Sequence, residues 1–293
     1  MKLILGCANF GNRYGLKKKK LSYTKISKII SKAKKLGINH YDTANDYKDS
    51  EKFIGKKIIN IYKNKKPLVD TKIPKKIKIK NNISNIKFST EISLKKLNIK
   101  SINTLYVHDS RQLLNKNGMI VYRDLVYLKK KKLIKNIGIS VYTPQELIKI
   151  LKKFKIDVVQ APFNIIDKRF TSSKISKLLK SNNCKLIARS IFLKGVLLKR
   201  RSALHSYFDK WSNIFKKIET EFRGQKLSIK QYTLRTINRE KKINNFIIGV
   251  SNENQIKEIF NILKNLKNKP LKKLNVPNVV DNKLINPKYW KLS

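Results

Sequence analysis

Gly37-Ile38-Asn39-His40-Tyr41-Asp42-Thr43-Ala44-Asn45-Asp46-Tyr47 is the stretch whose reading decides the fold. Ile38–Tyr41 reads as a short strand, followed at once by the carboxylate of Asp42 and five residues later by the phenol of Tyr47. Two later runs repeat the plan. Leu68-Val69-Asp70-Thr71-Lys72 closes on a lysine, and Leu105-Tyr106-Val107-His108 closes on a histidine. Chemically active side chains gathered at strand C-termini are the arrangement of an α/β barrel, in which all such ends share one face. Asp42, Tyr47, Lys72 and His108 are therefore predicted to converge there.

Working outward, eight strand-like runs alternate with helical ones. The strands are read at Lys2–Leu5, Ile38–Tyr41, Leu68–Lys72, Asn103–Val107, Ile134–Ile139, Asp157–Gln160, Lys185–Arg189 and Asn245–Ile248. Ile26, Ile29, Ile30 and Ala33 fall on one face of a helix, as do Leu147, Ile148, Leu151 and Phe154, and Ile256, Ile259, Phe260 and Leu263. Thr143-Pro144 supplies a capping hydroxyl and a first-turn proline to the second of these. Strict alternation implies a parallel sheet, and eight units favour closure into a (β/α)8 TIM barrel. The competing open, doubly wound sheet lacks its dinucleotide loop here, because no Gly-x-Gly-x-x-Gly follows any strand. We read one domain: a barrel over about residues 2–265 and an irregular tail over about 266–293 that could cover part of the barrel mouth.

Composition narrows the partners. A chain of 293 residues with 41% hydrophobic content suffices for one large core. No run approaches the roughly 18 apolar residues of a membrane span. The apolar stretch Leu3-Ile4-Leu5 is shorter than the ~7–15 residues of a signal peptide's hydrophobic region. Gly6-Cys7 after it resembles a lipoprotein cleavage site, but no export segment stands before it. Cys7 and Cys184 make no disulfide framework, so the expected compartment is reducing and cytoplasmic. His40, His108 and His205 show no ligand spacing, and no metal is predicted. The net charge of +51 invites a nucleic-acid reading. The lysines are spread over nearly every helix among abundant Asn and Ile, which describes a solvated surface, so no specific nucleic-acid partner is expected.

Reduction of a carbonyl needs a hydride donor at carbon and a proton donor at oxygen. A tyrosine keeps its proton at neutral pH and gives it up more readily beside an ammonium, which stabilises the phenolate. Lys72 can supply that charge, Asp42 can hold the ammonium, and His108 can donate a hydrogen bond to the carbonyl oxygen. Each residue also has a plain structural reading: a capping Asp, a packed Tyr, one lysine of many, a core histidine. Their joint placement at successive strand ends favours the chemical reading.

These stretches resemble the aldo-keto reductase family, whose fold is the (β/α)8 barrel. The resemblance runs through Leu5–Gly11, Gly37–Tyr47, Ser50-Glu51, Thr71-Lys72, Tyr106–His108, Gly138–Ser140, Val159–Asn164 and Ile248–Ser251. It implies Asp42, Tyr47, Lys72 and His108 as the catalytic tetrad, and a nicotinamide cofactor, usually NADPH, with NADH open. It also implies that Ser140 and Gln160 hold the nicotinamide carboxamide. Gly249, Ser251, Gln255 and Glu258 fall on the adenosine-binding segment, in a pattern similar to that of the family's potassium-channel beta subunits. The chain departs from the family in three places. Val141 follows Ser140 where many members have Asn. Arg189, followed by Ser190, stands where an aromatic ring usually stacks on the nicotinamide. The adenosine segment lacks the Lys and Arg that grip the 2′-phosphate in many relatives.

The expected function is NAD(P)H-dependent reduction of a small-molecule aldehyde or ketone, with a sugar-type carbonyl among the candidates. A cofactor-binding regulatory module with little turnover is the alternative, and a polyanion-binding accessory protein is a third. Specificity is expected in the loops Asn9–Leu16 and Leu193–Tyr207 and in the tail, with Lys199, Arg200 and Arg201 positioned for an anionic substrate, for a pyrophosphate or simply for solvent. The sequence leaves the oligomeric state open.

Overall fold

Eight parallel strands close into a ring: β1 (Leu3–Gly6), β2 (His40–Asp42), β3 (Leu68–Lys72), β4 (Ile102–Val107), β5 (Ile134–Ser140), β6 (Val158–Pro162), β7 (Lys185–Arg189) and β8 (Asn245–Gly249). Neighbours in the ring are neighbours in sequence, and β1 seals it against β8 with Gly6 opposite Gly249. The structure is a computed structural model and describes residues 2–11, 21–62, 67–81, 83–223, 227–265 and 275–292. Part of the expected specificity loop, residues 12–16, and the start of the tail, residues 266–274, lie outside them.

Nine α-helices of eight or more residues, among the described residues, clothe the barrel. They are α1 (Tyr23–Lys35), α2 (Ser50–Ile61), α3 (Ile86–Leu97), α4 (Gly118–Lys130), α5 (Pro144–Leu151), α6 (Ser173–Ser181), α7 (Ser212–Phe222), α8 (Ile229–Arg239) and α9 (Glu253–Lys264). Ile26, Ile29, Ile30 and Ala33 of α1 are fully buried, as their spacing predicts. The Thr143 hydroxyl accepts from Glu146 N–H at the start of α5, with Pro144 in its first turn. Phe154 is buried too, but beyond the end of α5, where its ring packs on Tyr122 at 4.8 Å between centroids.

The start of β2 differs from the expectation. Ile38 belongs to the end of α1 and not to the strand. Gly37 adopts φ +72°, its N–H bonds Lys34 O and the Ile38 N–H bonds Ala33 O, so the chain first closes the helix and pairs with its neighbours only from His40. This is the glycine-terminated helix end that satisfies the last carbonyls. The strand consequently runs through Asp42.

Two cores matter for the site. Ile4, Tyr106, Val158 and Ile187 pack together although β1, β4, β6 and β7 are not all neighbours, so they meet across the barrel interior. A second cluster joins Ile165 and Leu193, which follow β6 and β7, to Phe208, Trp211 and Phe215 and to the tail residues Val276, Val279, Leu284 and Ile285. Val279 N–H bonds Ile166 O and the Trp211 indole donates to Asp281. The tail is therefore fastened beside the C-terminal end of the barrel, the end that carries the candidate site.

Candidate active site

Asp42 and Lys72 are the last residues of their strands. The Lys72 ammonium donates to Asp42 Oδ1 at 2.7 Å, to Asp42 Oδ2 at 2.8 Å and to the Thr43 carbonyl at 2.7 Å. Lys72 is 2% exposed, so this is a buried pair. A buried ammonium is tolerated only when paired and hydrogen-bonded, and three acceptors for three N–H groups meet that condition. Gln160 reaches the same carboxylate from β6, across the barrel, with Nε2 donating to Asp42 Oδ1 at 2.8 Å.

Tyr47 lies above this pair. The Lys72 Nζ is 5.4 Å from the centroid of its ring. Its loop is seated against Gly11, where any Cβ would collide with the Tyr47 carbonyl oxygen and press on the N–H groups of Asp49 and Ser50. Burial raises the Tyr47 phenol well above its ordinary pKa, and the Asp42 carboxylate adds to this, while the Arg189 guanidinium works against them. The phenol thus holds its proton firmly at neutral pH.

His108 stands one residue past β4, its ring edge-on to Tyr47 with centroids 5.8 Å apart and planes at 87°. Its Nδ1 contacts Asp46 Oδ2 at 3.1 Å, and the same oxygen accepts from Lys75 N–H at 2.9 Å. Burial holds the imidazole below its usual pKa. The Asp46 bond opposes this, and the charges of Lys72 and Lys75 reinforce it.

Arg189 lies over the Tyr142 ring at 4.1 Å from its centroid, and its Nη2 donates to Val141 O at 3.0 Å. The guanidinium pulls the Tyr142 phenol below its ordinary pKa against the effect of burial, with further help from Lys194, Lys75 and Lys288. Four cations therefore act on one point of the barrel mouth.

The remaining candidates occupy strand ends around the same rim. Ser140 ends β5 opposite Gln160, and both are buried. Ser190 takes φ +60°, and Leu193, Lys194 and Gly195 follow with φ of +47°, +52° and +95°. Non-glycine residues in this region carry strain that concentrates at functional segments. At the end of β8, a Cβ on Gly249 would meet only Gly6 O, at 3.5 Å, so the rim is open there. Ser251 N–H donates to the Gln255 side-chain oxygen at 2.8 Å, and Gln255 N–H donates to Asn252 Oδ1 at 2.9 Å, which folds this loop onto the start of α9. Glu258, one turn further, takes the Lys230 ammonium at 2.8 Å on each oxygen. Of the loop cations, Arg201 lies 3.9 Å from Glu219 and Lys199 bonds Ala203 O.

The four tetrad candidates thus share one rim with Ser140 and Gln160, while Glu258 is drawn into a surface ion pair. Sequence reasoning missed Asp46 and Tyr142. Asp46 directly precedes Tyr47, and Tyr142 stands two residues after Ser140, so adjacency was the available signal. Among the described residues, no group of three or more His, Cys, Asp or Glu side chains could hold a metal ion, and no helix is long and apolar enough to cross a membrane.

Comparison with known proteins agrees with the barrel fold. No curated protein sequence matches the chain. The holo form of the aldo-keto reductase AKR11C1 from Bacillus halodurans is similar in fold, with a TM-score of 0.74 and 19% identity over 92% of this chain and 88% of that one. The thermostable aldo-keto reductase Tm1743, solved with the inhibitor epalrestat, gives a TM-score of 0.70 and 18% identity over 93% and 92% of the two chains. Residues 2–275 match the Aldo/keto reductase family. The chain belongs to that family, and with it to the oxidoreductases of carbonyl compounds.

Proposed function

We propose that this protein reduces an aldehyde or ketone to an alcohol with NAD(P)H, and that Tyr47 is the proton donor. The observation that carries this reading is the Asp42–Lys72 pair buried beneath the Tyr47 ring, with His108 at the ring's edge. Tyr47 gives its proton to the carbonyl oxygen, and the Lys72 charge favours the phenolate left behind. Asp42 and Lys72 are buried, so their charges are screened less than surface charges would be.

The residues present fit a nicotinamide cofactor. The rim at Gly249 has the space a side chain would fill, and Asn9 Oδ1 and Arg189 Nε are buried polar atoms without a hydrogen-bond partner. Ser140 and Gln160 would hold the carboxamide, Arg189 and Ser190 would flank the ring, and Gly249, Ser251, Gln255 and Glu258 would meet the adenosine end. When bound, the reduced nicotinamide supplies hydride to the carbonyl carbon. The N-terminus of α9 and the Ser251 hydroxyl suit an added phosphate, so NADPH is the proposed partner over NADH.

The cations at the mouth favour a substrate that carries a carboxylate or phosphate beside its carbonyl. Arg189, Lys194, Lys75 and Lys288 create a positive field there, and such a field raises the local concentration of anions. The experiment is a turnover screen of aldehydes, sugars, sugar phosphates and keto acids with each cofactor, run beside thermal protection by the cofactor alone. We expect turnover with NADPH and a preference for anionic carbonyls that weakens as salt rises. Cofactor protection without any turnover would instead mark a regulatory module, and protection by neither cofactor would end the oxidoreductase reading.

A further inference from the structure

We propose that Asp46 is a positioning residue that locks the His108 ring with its proton on Nδ1, so that Nε2 donates to a substrate oxygen only when the ring is an imidazolium. The proposal rests on the reading of His108 as part of a carbonyl site. It adds a protonation state to the expectation that His108 donates a hydrogen bond to the carbonyl oxygen.

The geometry decides which nitrogen holds the proton. An ionised carboxylate only accepts hydrogen bonds, so the 3.1 Å contact between Asp46 Oδ2 and His108 Nδ1 requires the N–H to be on Nδ1. A neutral imidazole has a single N–H, which leaves Nε2 as an acceptor. Asp46 is itself held, because Oδ2 also takes the Lys75 N–H at 2.9 Å. Its bond to His108 keeps its carboxyl below the usual range, against partial burial, so it is ionised at neutral pH. The His108 side chain is 11% exposed and that of Asp46 is 32% exposed, which limits competition from water.

The groups facing the ring are Tyr47 and Asp46 from the loop after β2, and Lys72 and Lys75 from β3 and the loop after it. Asp46 favours the imidazolium, while burial and the two lysines oppose it. Both directions of the reaction then use one form of the ring. Carbonyl reduction uses the protonated ring as a donor to the oxygen that gains charge. Alcohol oxidation uses the same imidazolium, whose Nε2–H donates to the alcohol oxygen while the Tyr47 phenolate takes the alcohol's only proton. Tyr47 still transfers the proton in both, so His108 contributes a hydrogen bond and no net proton.

Long-range 1H–15N correlation spectra of the full-length chain test this directly, because His40, His108 and His205 are its three histidines and His108→Gln assigns the signal. We expect the Nδ1–H tautomer for His108 at neutral pH in the parent protein. In Asp46→Asn, the His108 titration and the alkaline fall of the reduction profile should move together to lower pH, by about one unit for loss of a neighbouring opposite charge. Asp46→Ala should release the ring to the Nε2–H tautomer, and Asp46→Glu should restore the parent titration in part. An Nε2–H tautomer in the parent, or a His108 titration unmoved by Asp46→Asn, overturns the proposal. The spectra need no substrate, so failure to find a carbonyl substrate would count against the proposed function and leave this inference standing.

Discussion

The Lys72 ammonium points all of its hydrogen-bonding capacity away from Tyr47, toward both oxygens of Asp42 and the Thr43 carbonyl. The ammonium lies 5.4 Å from the ring centroid, so the proposed stabilisation of the phenolate would act through space and not through a hydrogen bond. Asp42 must offset the desolvation of Lys72 and also receives Gln160. Three side chains are thus bound into one buried unit.

Breaking that unit from one side should be costly. Lys72→Met leaves the Asp42 carboxylate buried without its cation, and removing one partner of a buried pair costs about 3–5 kcal/mol. Asp42→Asn combined with Lys72→Met removes both charges, so the double variant should lose much less than the sum of the single ones. Urea unfolding of the four proteins measures this directly. Additive losses would show that the pair contributes no coupling.

A second buried pair lies deeper along the same strands. His40 Nε2 is 2.8 Å from Asp70 Oδ2, and Asn103 Nδ2 donates to Asp70 Oδ1 at 2.7 Å. Burial lowers the His40 pKa, but the Asp70 charge and hydrogen bond, with Asp42 behind them, outweigh it and leave the pKa raised. A raised folded-state value means that the folded protein binds the proton more tightly than the unfolded chain. The resulting stability is complete below the unfolded value of about 6.5 and is lost as pH rises through the folded value. Urea midpoints of the parent should therefore fall toward those of His40→Gln between about pH 6 and pH 8. A gap that widens with pH would show that the ring is neutral in the folded state.

Gly11 carries the position of Tyr47. With a methyl group there, the Tyr47 carbonyl and the start of α2 must shift, because backbone atoms and not a flexible side chain stand in the way. Gly11→Ala should lower stability by about 1–3 kcal/mol, the usual cost of overpacking. Turnover should fall more steeply than affinity for the cofactor, since the displaced group is the proposed proton donor. Unchanged turnover in a folded Gly11→Ala protein would mean that the loop finds another route to the same geometry.

Much of this was legible in the sequence, for reasons visible in individual residues. The strand ends at Asp42 and Lys72 could be read because apolar runs stop there, and the closed ring followed from eight alternating units. What escaped were relations between loops. Nothing in Asp46 alone signals His108, which lies 62 positions away, and the two meet only because β2 and β4 flank β3 in the ring. Arg189 was readable as a departure from an aromatic position, yet its pairing with Tyr142 depends on β5 and β7 both standing beside β6. The β2 boundary was misplaced because Ile38 is as apolar as a strand residue while Gly37 commits it to closing α1.

Tyr47→Phe is the decisive substitution for the proposed chemistry. It removes one hydroxyl and keeps the ring that packs edge-on to His108, so the fold, the urea midpoint and cofactor affinity should all survive. Turnover should fall by about 10²–10⁴-fold, the usual contribution of a positioned general acid. Because burial and Asp42 already raise the phenol, titration of Tyr47 should cause no loss of reduction until well above neutral pH, and any earlier fall on the basic side belongs to His108. Lys72→Met removes a cation beneath that ring, so any residual activity should persist to still higher pH. The pH profiles of kcat for the parent and both variants, on one verified carbonyl substrate, separate these effects. Near-parent turnover in Tyr47→Phe would mean that another group donates the proton, and His108 in its imidazolium form would be the next to test.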